Sequence, residues 1–270
     1  MADQHQTRPG AWTGSVNIRH VGGVGPAEVH KARRAIAEVL ARTQVIAQSQ
    51  VPARSQAYIA DVRMRVSGGA GGSGPGLVQV NLTVDGRPTR VQMPGPTVRD
   101  AITVAMARLE RRLRLLAPGR SSELPTGPDP QPRRPLATTL PGRITRLKSV
   151  PLARTAPAEA SAILLAMDYD AYLFTDDVFG QDAVVFRSGP SGLHLARQYT
   201  MRPPSSPAEP AIIIHPQRTP TMTPAQATSW LVRHRLPQLF FTDAESRRGF
   251  LLCRRYDAHL TLVTAGPVRP

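Results

Sequence analysis

The chain has one cysteine, Cys253, among its 270 residues. A single cysteine cannot form an internal disulfide, and it has no neighbour at metal-ligand spacing, while the seven histidines are scattered. A disulfide scaffold is therefore excluded, and neither a metal nor another cofactor is expected. Free cysteines usually lie in the interior, so Cys253 is predicted to be a buried core thiol.

Long apolar runs are also missing. No run approaches the roughly 20 residues that cross a bilayer, and residues 1–14 are polar, without the hydrophobic segment of a signal peptide. We therefore expect a cytoplasmic protein with no membrane partner.

Acidic residues are few. The chain has 34 Lys and Arg against 19 Asp and Glu, a net charge of +15, with +9 in residues 1–117 and +6 in the rest. Such a surplus indicates a polyanionic partner, and nucleic acid first, because binding releases counterions from phosphates. Only Lys31 and Lys148 are lysines. The preference for Arg suits phosphate recognition, although a GC-rich genome would produce it too.

Proline and glycine are abundant, with 27 and 21 residues, which favours several small domains on linkers over one large domain. Periodicity is lost in two Pro-rich stretches. The predicted organisation is a disordered tail at 1–14, a domain at 15–117, a linker at 118–141, a module at 142–198, a linker at 199–208 and a second module at 209–265.

The two C-terminal modules are predicted from an internal repeat. Residues 142–196 align with 209–263 at a constant offset of 67 without a gap. A constant offset across several elements indicates two copies of one folded unit. Matched residues include Pro157 with Pro224, Leu164 with Leu231, and the run Phe174, Thr175, Asp176 with Phe241, Thr242, Asp243.

The N-terminal region predicts the order β-α-β-β-β-α. A strand at 15–20 precedes a helix at 26–47, and alternating residues predict strands at 56–66 and 77–84, with Tyr58 and Ala60 among those turned inward. Asp85-Gly86 predicts a two-residue hairpin that returns a strand at 87–93. Thr97 is placed to cap the second helix. The fold class is therefore α+β, with two helices on one face of a four-stranded sheet.

The predicted binding residues are basic and lie on two surfaces of this domain. The open sheet face would be polar, and the exposed rows of the second helix would form a basic ridge from Arg108, Arg111 and Arg112. A solvated helix face is the simpler interpretation of that ridge. The candidate phosphate-binding residues are Lys31, Arg34, Arg42, Arg63, Arg65, Arg90, Arg99, Arg108, Arg111, Arg112 and Arg114.

Each repeat predicts a small β-α-β-β(-β) module. Thr223 to Gln226 forms a complete capping box before the second helix, whereas Ala156 holds that position in the first copy. Residues 156–187 carry a net charge of -5 and residues 223–263 a net charge of +3. We hypothesise that the two copies pair with each other within one chain. The charge difference could equally be drift.

Three motifs resemble catalytic or ligand sites. Residues 69–74 match the dinucleotide fingerprint but lie between two predicted strands, so we interpret them as a loop. The glycines at 22–25 stand between strand and helix and could approach an RNA phosphate. The acids Asp168, Asp170, Asp176 and Asp177 lack a matching base or nucleophile, which favours a structural role.

Taken together, the sequence resembles the long form of the ribosome hibernation promoting factor family, also called ribosome-associated inhibitors or sigma-54 modulation proteins. Nearly the whole chain is covered, and the match is more specific in the C-terminal half. The residues that support the resemblance are Val16-Asn17-Ile18, Gly95, Ala101-Ile102, residues 108–113, residues 144–148, Pro157-Ala158-Glu159-Ala160, residues 167–170, Tyr172-Leu173-Phe174 and Val184-Val185-Phe186-Arg187.

This resemblance implies a non-enzymatic inhibitor whose N-terminal domain binds the decoding region of the small subunit, over the mRNA path and the tRNA sites, with the 70S ribosome and 16S rRNA as partners. The C-terminal module of the long form usually joins two ribosomes. This chain departs from the family by carrying two such modules, the second without the Met-x-x-Asp stretch. The duplication resembles an actinobacterial, mycobacteria-like branch linked to hypoxia and dormancy.

Internal pairing would predict single hibernating 70S particles, with the basic second copy able to touch rRNA or ribosomal protein. Two alternatives are a general regulator that binds double-stranded RNA or DNA away from the ribosome, and a nucleotide-dependent enzyme that uses the glycine loop.

Overall fold

The computed structural model describes residues 15–50, 59–69, 74–116, 142–188, 192–203, 212–256 and 259–266. The chain divides into two compact units, Met1–Ser121 and Ser122–Pro270. The predicted tail and the linker at 118–141 lie outside the described residues, as do residues 204–208 of the second predicted linker. The α+β class predicted from the sequence is confirmed.

The N-terminal unit has the predicted order of elements. Its sheet runs β1-β2-β3-β4, with β1 parallel to β2 and the other neighbours antiparallel. The elements are β1 (Asn17–Val21), α1 (Pro26–Gln50), β2 (Ile59–Ser67), β3 (Gly76–Val84), β4 (Arg87–Gly95) and α2 (Val98–Leu116).

The core of this unit lies between the helices and one face of the sheet. Ile36 and Leu40 of α1 and Ile102 and Leu109 of α2 are fully buried against alternating residues of the strands. Burying these side chains removes apolar surface from water, which is the main stabilising term for the unit. The opposite sheet face carries the intervening polar residues and stays open to solvent.

A β-bulge in β2 changes part of the predicted alternation. Ala60 pairs with Thr83 and Arg63 pairs with Asn81, so two residues of β2 oppose one of β3. Asp61 at the bulge has a φ of 52°. Because the bulge inserts a residue, Ile59 is buried in the core and Ala60 is only half-buried, contrary to the expected alternation. Tyr58 lies outside the described residues.

Two residues before α2, Thr97 and Gly95, determine how the helix begins and how closely it approaches β4. The Thr97 hydroxyl accepts a hydrogen bond from the Asp100 amide at 3.2 Å, which caps the helix. Gly95 lies against the first turn, where an added Cβ would be 2.4 Å from the Ala101 nitrogen. Only glycine allows the end of β4 to approach α2 this closely.

The C-terminal unit contains both repeat copies. Beyond the predicted elements it has two short strands, β6 and β11. The first copy supplies β5 (Ile144–Val150), β6 (Arg154–Thr155), α3 (Pro157–Ala166), β7 (Ala171–Asp176), β8 (Asp182–Ser188) and β9 (Gly192–Arg197). The second copy supplies β10 (Ile212–Ile214), β11 (Thr221–Met222), α4 (Pro224–Arg233), β12 (Gln238–Asp243), β13 (Gly249–Arg254) and β14 (Leu260–Ala265).

The copies exchange their first strands. One sheet runs β10-β9-β8-β7-β6 and the other β11-β12-β13-β14-β5, so β5 joins the sheet of the second copy and β10 joins that of the first. The register is equivalent on both sides. Leu147 pairs with Leu262, and Ile214 pairs with Leu195, which are the same two positions shifted by 67. A local two-fold axis therefore relates the copies.

Both faces of each five-stranded sheet are buried. Phe174 and Phe241 point toward the helix of their own copy, α3 or α4. Their neighbours Leu173 and Phe240 point the other way, into a core that the two sheets share. Alternation in β7 and β12 therefore separates two apolar faces, and the sheets pack face to face between the helices.

The two C-terminal helices begin as their sequences predict. Thr223 and Gln226 form a reciprocal capping box at α4, with the Gln226 amide donating to the Thr223 hydroxyl at 3.3 Å. Ala156 at the start of α3 makes no side-chain cap. Among the described residues, no helix combines the length and apolar character that a membrane span requires.

Candidate nucleic-acid interface

Three arginines are exposed on the open face of the N-terminal sheet. Arg63 and Arg65 alternate with the buried residues of β2, and Arg19 extends from β1. Arg19 and Arg65 are direct partners in the parallel pair, so their side chains leave the same face from adjacent strands. No carboxylate among the described residues pairs with any of the three.

Amide side chains continue this surface across β3 and β4. Gln79 stands opposite Arg65, and Asn81 stands opposite Arg63. The Gln79 amide donates to Asn81 Oδ1 at 3.1 Å, and the half-buried Arg90 donates to Gln92 Oε1 at 2.8 Å. These contacts hold the polar side chains along the strands. The result is a fixed polar surface about 14 Å wide across four strands, with arginine at both ends.

Several of the other predicted residues are engaged between or within the two helices. The Lys31 amine lies 3.4 Å from the Arg99 carbonyl and from the Thr103 hydroxyl, and Arg99 pairs with Glu28 at 3.1 Å. The hydrogen bond from Arg99 lowers the pKa of the Glu28 carboxyl below its ordinary value. Lys31 and Arg99 thus link α1 to α2, which is a structural use of their charge.

Three further arginines on the helices pair with acids. Arg42 and Arg114 both contact the Glu110 carboxylate, at 3.3 Å and 2.6 Å. Arg34 pairs with Glu38 one turn along α1 at 2.9 Å. All three arginines are largely exposed, so each pair contributes little stability, but each already has a carboxylate that a phosphate would have to replace.

The predicted ridge on α2 is not continuous. Arg111 is exposed and Arg108 is half-buried, whereas Arg112 is only 9% exposed. Arg112 follows the fully buried Leu109 by three residues, so it lies at the edge of the apolar stripe rather than on the exposed rows. The expectation that Arg112 forms part of an exposed ridge was wrong.

The predicted basic residues therefore fall into two groups. Arg63, Arg65 and Arg90 lie on the open sheet face, while the remainder belong to α1 and α2, which cover the other face. A single flat surface of nucleic acid cannot touch both groups. Arg19, the neighbour of Arg65, was missed, although the alternation of β1 around Ile18 was a signal that could have found it.

The two glycine motifs have structural explanations. The Gly23 amide donates to the Gly69 carbonyl at 3.1 Å, and the Val24 amide donates to the Gly22 carbonyl at 2.8 Å, so these N–H groups are engaged within the protein. Gly22, at a φ of 77°, passes so close to Gly68 that an added Cβ would be 2.2 Å from its carbonyl oxygen. Most of the motif at 69–74 lies outside the described residues, but it joins β2 to β3 and precedes no helix.

The acids of the C-terminal copies stabilise turns and ion pairs. Buried Asp176 pairs with Arg197 at 2.7 Å and accepts hydrogen bonds from the Val178 and Phe179 amides at 3.0 and 3.1 Å. Asp243, its equivalent, accepts from the Ser246 amide at 2.8 Å. Within the described ranges, no three His, Cys, Asp or Glu side chains are grouped so that they could hold a metal ion.

Comparison with known proteins gave two matches from Mycobacterium tuberculosis, in strains CDC 1551 / Oshkosh and H37Rv. Both are described as a dormancy associated translation inhibitor, and each is 43% identical to this chain over 209 residues, which is 75% of either protein. No family model matches the chain.

Proposed function

Since the chain belongs to the family of these dormancy associated translation inhibitors, a family of long-form ribosome hibernation factors, we propose that it inhibits translation by binding the ribosome with the open face of its N-terminal sheet. The observation that carries this proposal is the row of Arg19, Arg63 and Arg65, which face solvent without a carboxylate partner in the described structure. The expected location is the decoding region of the small subunit, where 16S rRNA lines the mRNA path and the tRNA sites.

The chemistry of this face suits rRNA. Guanidinium groups donate two parallel hydrogen bonds to a phosphate, and each engaged arginine contributes about one unit to the salt dependence of binding. The amides of Gln79 and Gln92 can donate to and accept from base edges and 2′-hydroxyls. Because hydrogen bonds to Asn81 and Arg90 hold the Gln79 and Gln92 amides in place, these two side chains lose little entropy on binding.

The proposed mechanism is occupation of the site and not catalysis. A rigid domain that lies over the mRNA path excludes mRNA and tRNA sterically, which requires no reacting group. Of the four acids that could suggest chemistry, Asp168 and Asp176 are buried, and Asp176 is paired with Arg197. The same proposal places the protein in the cytoplasm, bound to ribosomes, under stress or dormancy.

The C-terminal unit supports a second element of the proposal, that the two copies stay paired within one chain. Fourteen residues separate the end of β9 at Arg197 from the start of β10 at Ile212. They can span up to about 46 Å, more than twice the length of the six-residue strand β9 beside which β10 returns. A chain whose modules satisfy each other offers no free module to a second ribosome, so we expect inactive single 70S ribosomes. The exposed basic residues of the second copy remain able to touch rRNA or ribosomal protein.

The test is charge reversal on the sheet face. The variant R63E/R65E should lose most binding to purified 70S ribosomes in a sucrose gradient and should no longer inhibit translation in vitro. The matched control is R33E/R87E, which makes the same change in charge at two exposed arginines outside the open face. If R63E/R65E binds as well as the control, the sheet face is not the interface.

The gradient also separates the alternatives. Wild-type protein that migrates with 70S supports single-particle hibernation, whereas a new 100S peak would show that the modules still bridge ribosomes. Competition by naked double-stranded RNA or DNA at equal phosphate concentration would favour the general nucleic-acid regulator. We expect naked RNA and DNA to compete poorly, because the protein should bind ribosomes much more tightly.

A further inference from the structure

Asp182 and Gly249 are equivalent positions of the two repeat copies, 67 residues apart, and they face each other. A Cβ added to Gly249 would lie 2.6 Å from the Cβ of Asp182, closer than real Cβ atoms approach. Equivalent positions can meet only at the two-fold axis that relates the copies. At this point on the axis there is space for one side chain and not for two.

The side chain that occupies this space binds the other copy. The Asp182 carboxylate accepts hydrogen bonds from Arg248 Nε at 2.8 Å, from Arg248 Nη2 at 3.2 Å and from the Gly249 amide at 2.8 Å. Thr175 of its own copy donates to it at 3.0 Å. Asp182 is only 3% exposed. A buried carboxylate requires such partners, because without them its desolvation would be costly.

These partners are not duplicated on the other side of the axis. The position equivalent to Arg248 is Gln181 in the first copy. A second unequal contact lies beside it. Gln198 of the first copy donates to the Thr242 hydroxyl at 3.2 Å and to the Arg247 carbonyl at 3.0 Å, while its equivalent, Ala265, has no polar side chain. The backbones of the copies follow the two-fold axis, but the side chains at the interface do not.

We propose that the pair of Asp182 and Gly249 determines partner choice, so that the first C-terminal copy accepts only a second copy and rejects its own kind. The inference rests on the module pairing proposed above. Two first copies would bring two buried carboxylates together at a Cβ separation of 2.6 Å. Two second copies would place Arg248 beside Gly249 and leave its guanidinium without the carboxylate that it now binds.

This selectivity bears on how chains could meet. A symmetric dimer of two chains would pair like with like, the first copy of one chain with the first copy of the other or the second with the second. The arrangement at Asp182 and Gly249 disfavours both pairings. Only unlike copies fit, and within one chain their effective concentration is set by a short connection. The axis thus favours the closed, single-chain pair.

Cys253 provides a probe for opening of this pair in the full-length chain. Its side chain packs against the core that the two sheets share, where burial raises the pKa of the thiol to about 12. The Cys253 side chain is half-buried and not fully enclosed as predicted, but its protonated thiol reacts slowly with iodoacetamide, and separation of the sheets would expose it fully. It is the single cysteine of the sequence, so total labelling reports this one position.

The test compares four arrangements at the axis in the full-length protein, read by the labelling rate of Cys253 under native conditions. In the wild type, position 182 is Asp and position 249 is Gly. D182G has Gly at both positions, and G249D has Asp at both positions. The exchanged variant, Q181R/D182G/R248Q/G249D, moves the acid and its arginine to the opposite copies. S229D adds an acid at an exposed position of α4 and serves as the control.

We expect labelling at least about tenfold faster in D182G, because Arg248 and the Gly249 amide lose a charged partner. G249D should be faster still, and S229D should match wild type. The exchanged variant should return most of the way to the wild-type rate. If Cys253 of the exchanged variant is labelled as fast as in D182G, Asp182 serves a local structural role and the proposal is overturned. The proposal is also overturned if Cys253 of G249D is labelled as slowly as in the wild type.

The outcome is independent of the ribosome. A chain that shows the predicted order of labelling rates but fails to bind 70S would retain this inference and lose the proposed function. The reverse result would retain the function and lose the inference.

Discussion

Arg19 and Arg65 stand directly opposite each other on adjacent parallel strands, both on the open face of the N-terminal sheet. Like charges at a direct cross-strand position are destabilising. A phosphate between the two guanidiniums would turn this repulsion into attraction. The juxtaposition is therefore unfavourable in the free protein and suited to a polyanionic partner.

The first prediction concerns this pair. Arg19→Gln should leave the thermal stability of the free protein unchanged or slightly higher, because it removes the repulsion. It should also weaken ribosome binding and lower the slope of log affinity against log salt by about one unit. Thermal unfolding and a salt titration measure the two effects. A variant that loses stability and keeps its salt slope would show that Arg19 has no role in binding.

The second prediction concerns the strand exchange. Substituting proline for both Arg146 and Leu147 removes two consecutive N–H groups from β5, at least one of which faces β14. Hydrogen exchange should then accelerate in β14, which belongs to the second copy, and leave β9 protected. The reciprocal change, Ile213→Pro, should expose β9 instead. Loss of protection in the substituted copy's own sheet would contradict the exchanged topology.

The third prediction concerns pH. Burial lowers the pKa values of His194 and His215 below the ordinary 6.5, so the unfolded chain takes up protons before the folded chain does. The stability that these groups contribute is present above about pH 6.5 and is lost as the pH falls toward their folded pKa values. We expect a lower urea midpoint for the C-terminal unit at pH 5.5 than at pH 7.5.

The control for this effect is the variant H194Q/H215Q. Glutamine does not titrate, so the difference between the two pH values should shrink. An unchanged difference would assign the pH dependence to other groups. Phe186 packs against both histidines, at ring distances of 5.6 and 5.7 Å, and should be left intact.

The fourth prediction concerns Gly95. An alanine there would place a Cβ 2.4 Å from the Ala101 nitrogen, so β4 and α2 must move apart. We expect Gly95→Ala to destabilise the N-terminal unit by about 1–3 kcal/mol, the usual cost of overpacking. Gly86→Asn is the matched control, because Gly86 has no atom within 4 Å of an added Cβ and asparagine tolerates its φ of 77°. Equal stabilities in urea would contradict the steric argument.

Much of the candidate site could be predicted from local pattern. Alternation in β2 separated Arg63 and Arg65 from their buried neighbours, and the same rule applied to β1 would have added Arg19. The engagement of Lys31 with Thr103 and of Arg42 with Glu110 could not be predicted, because these contacts depend on how α1 lies against α2. Arg112 shows the same limit. Its exposure depends on how far the covered stripe extends, which the packing partner decides.

The sequence by itself determined the features that depend on neighbouring residues. These include the hairpin at Asp85-Gly86, the capping box at Thr223, the order of elements and the existence of two copies. Local signals suffice there, because turn conformation, helix caps and strand alternation are set within a few residues. The tertiary structure alone decided which sheet each first strand joins and which copy holds the buried acid. Those outcomes depend on contacts between residues distant in the sequence, 19 apart for Ile214 and Leu195 and 115 apart for Leu147 and Leu262. At such separations the free energy of packing, and not local conformational preference, selects the partner.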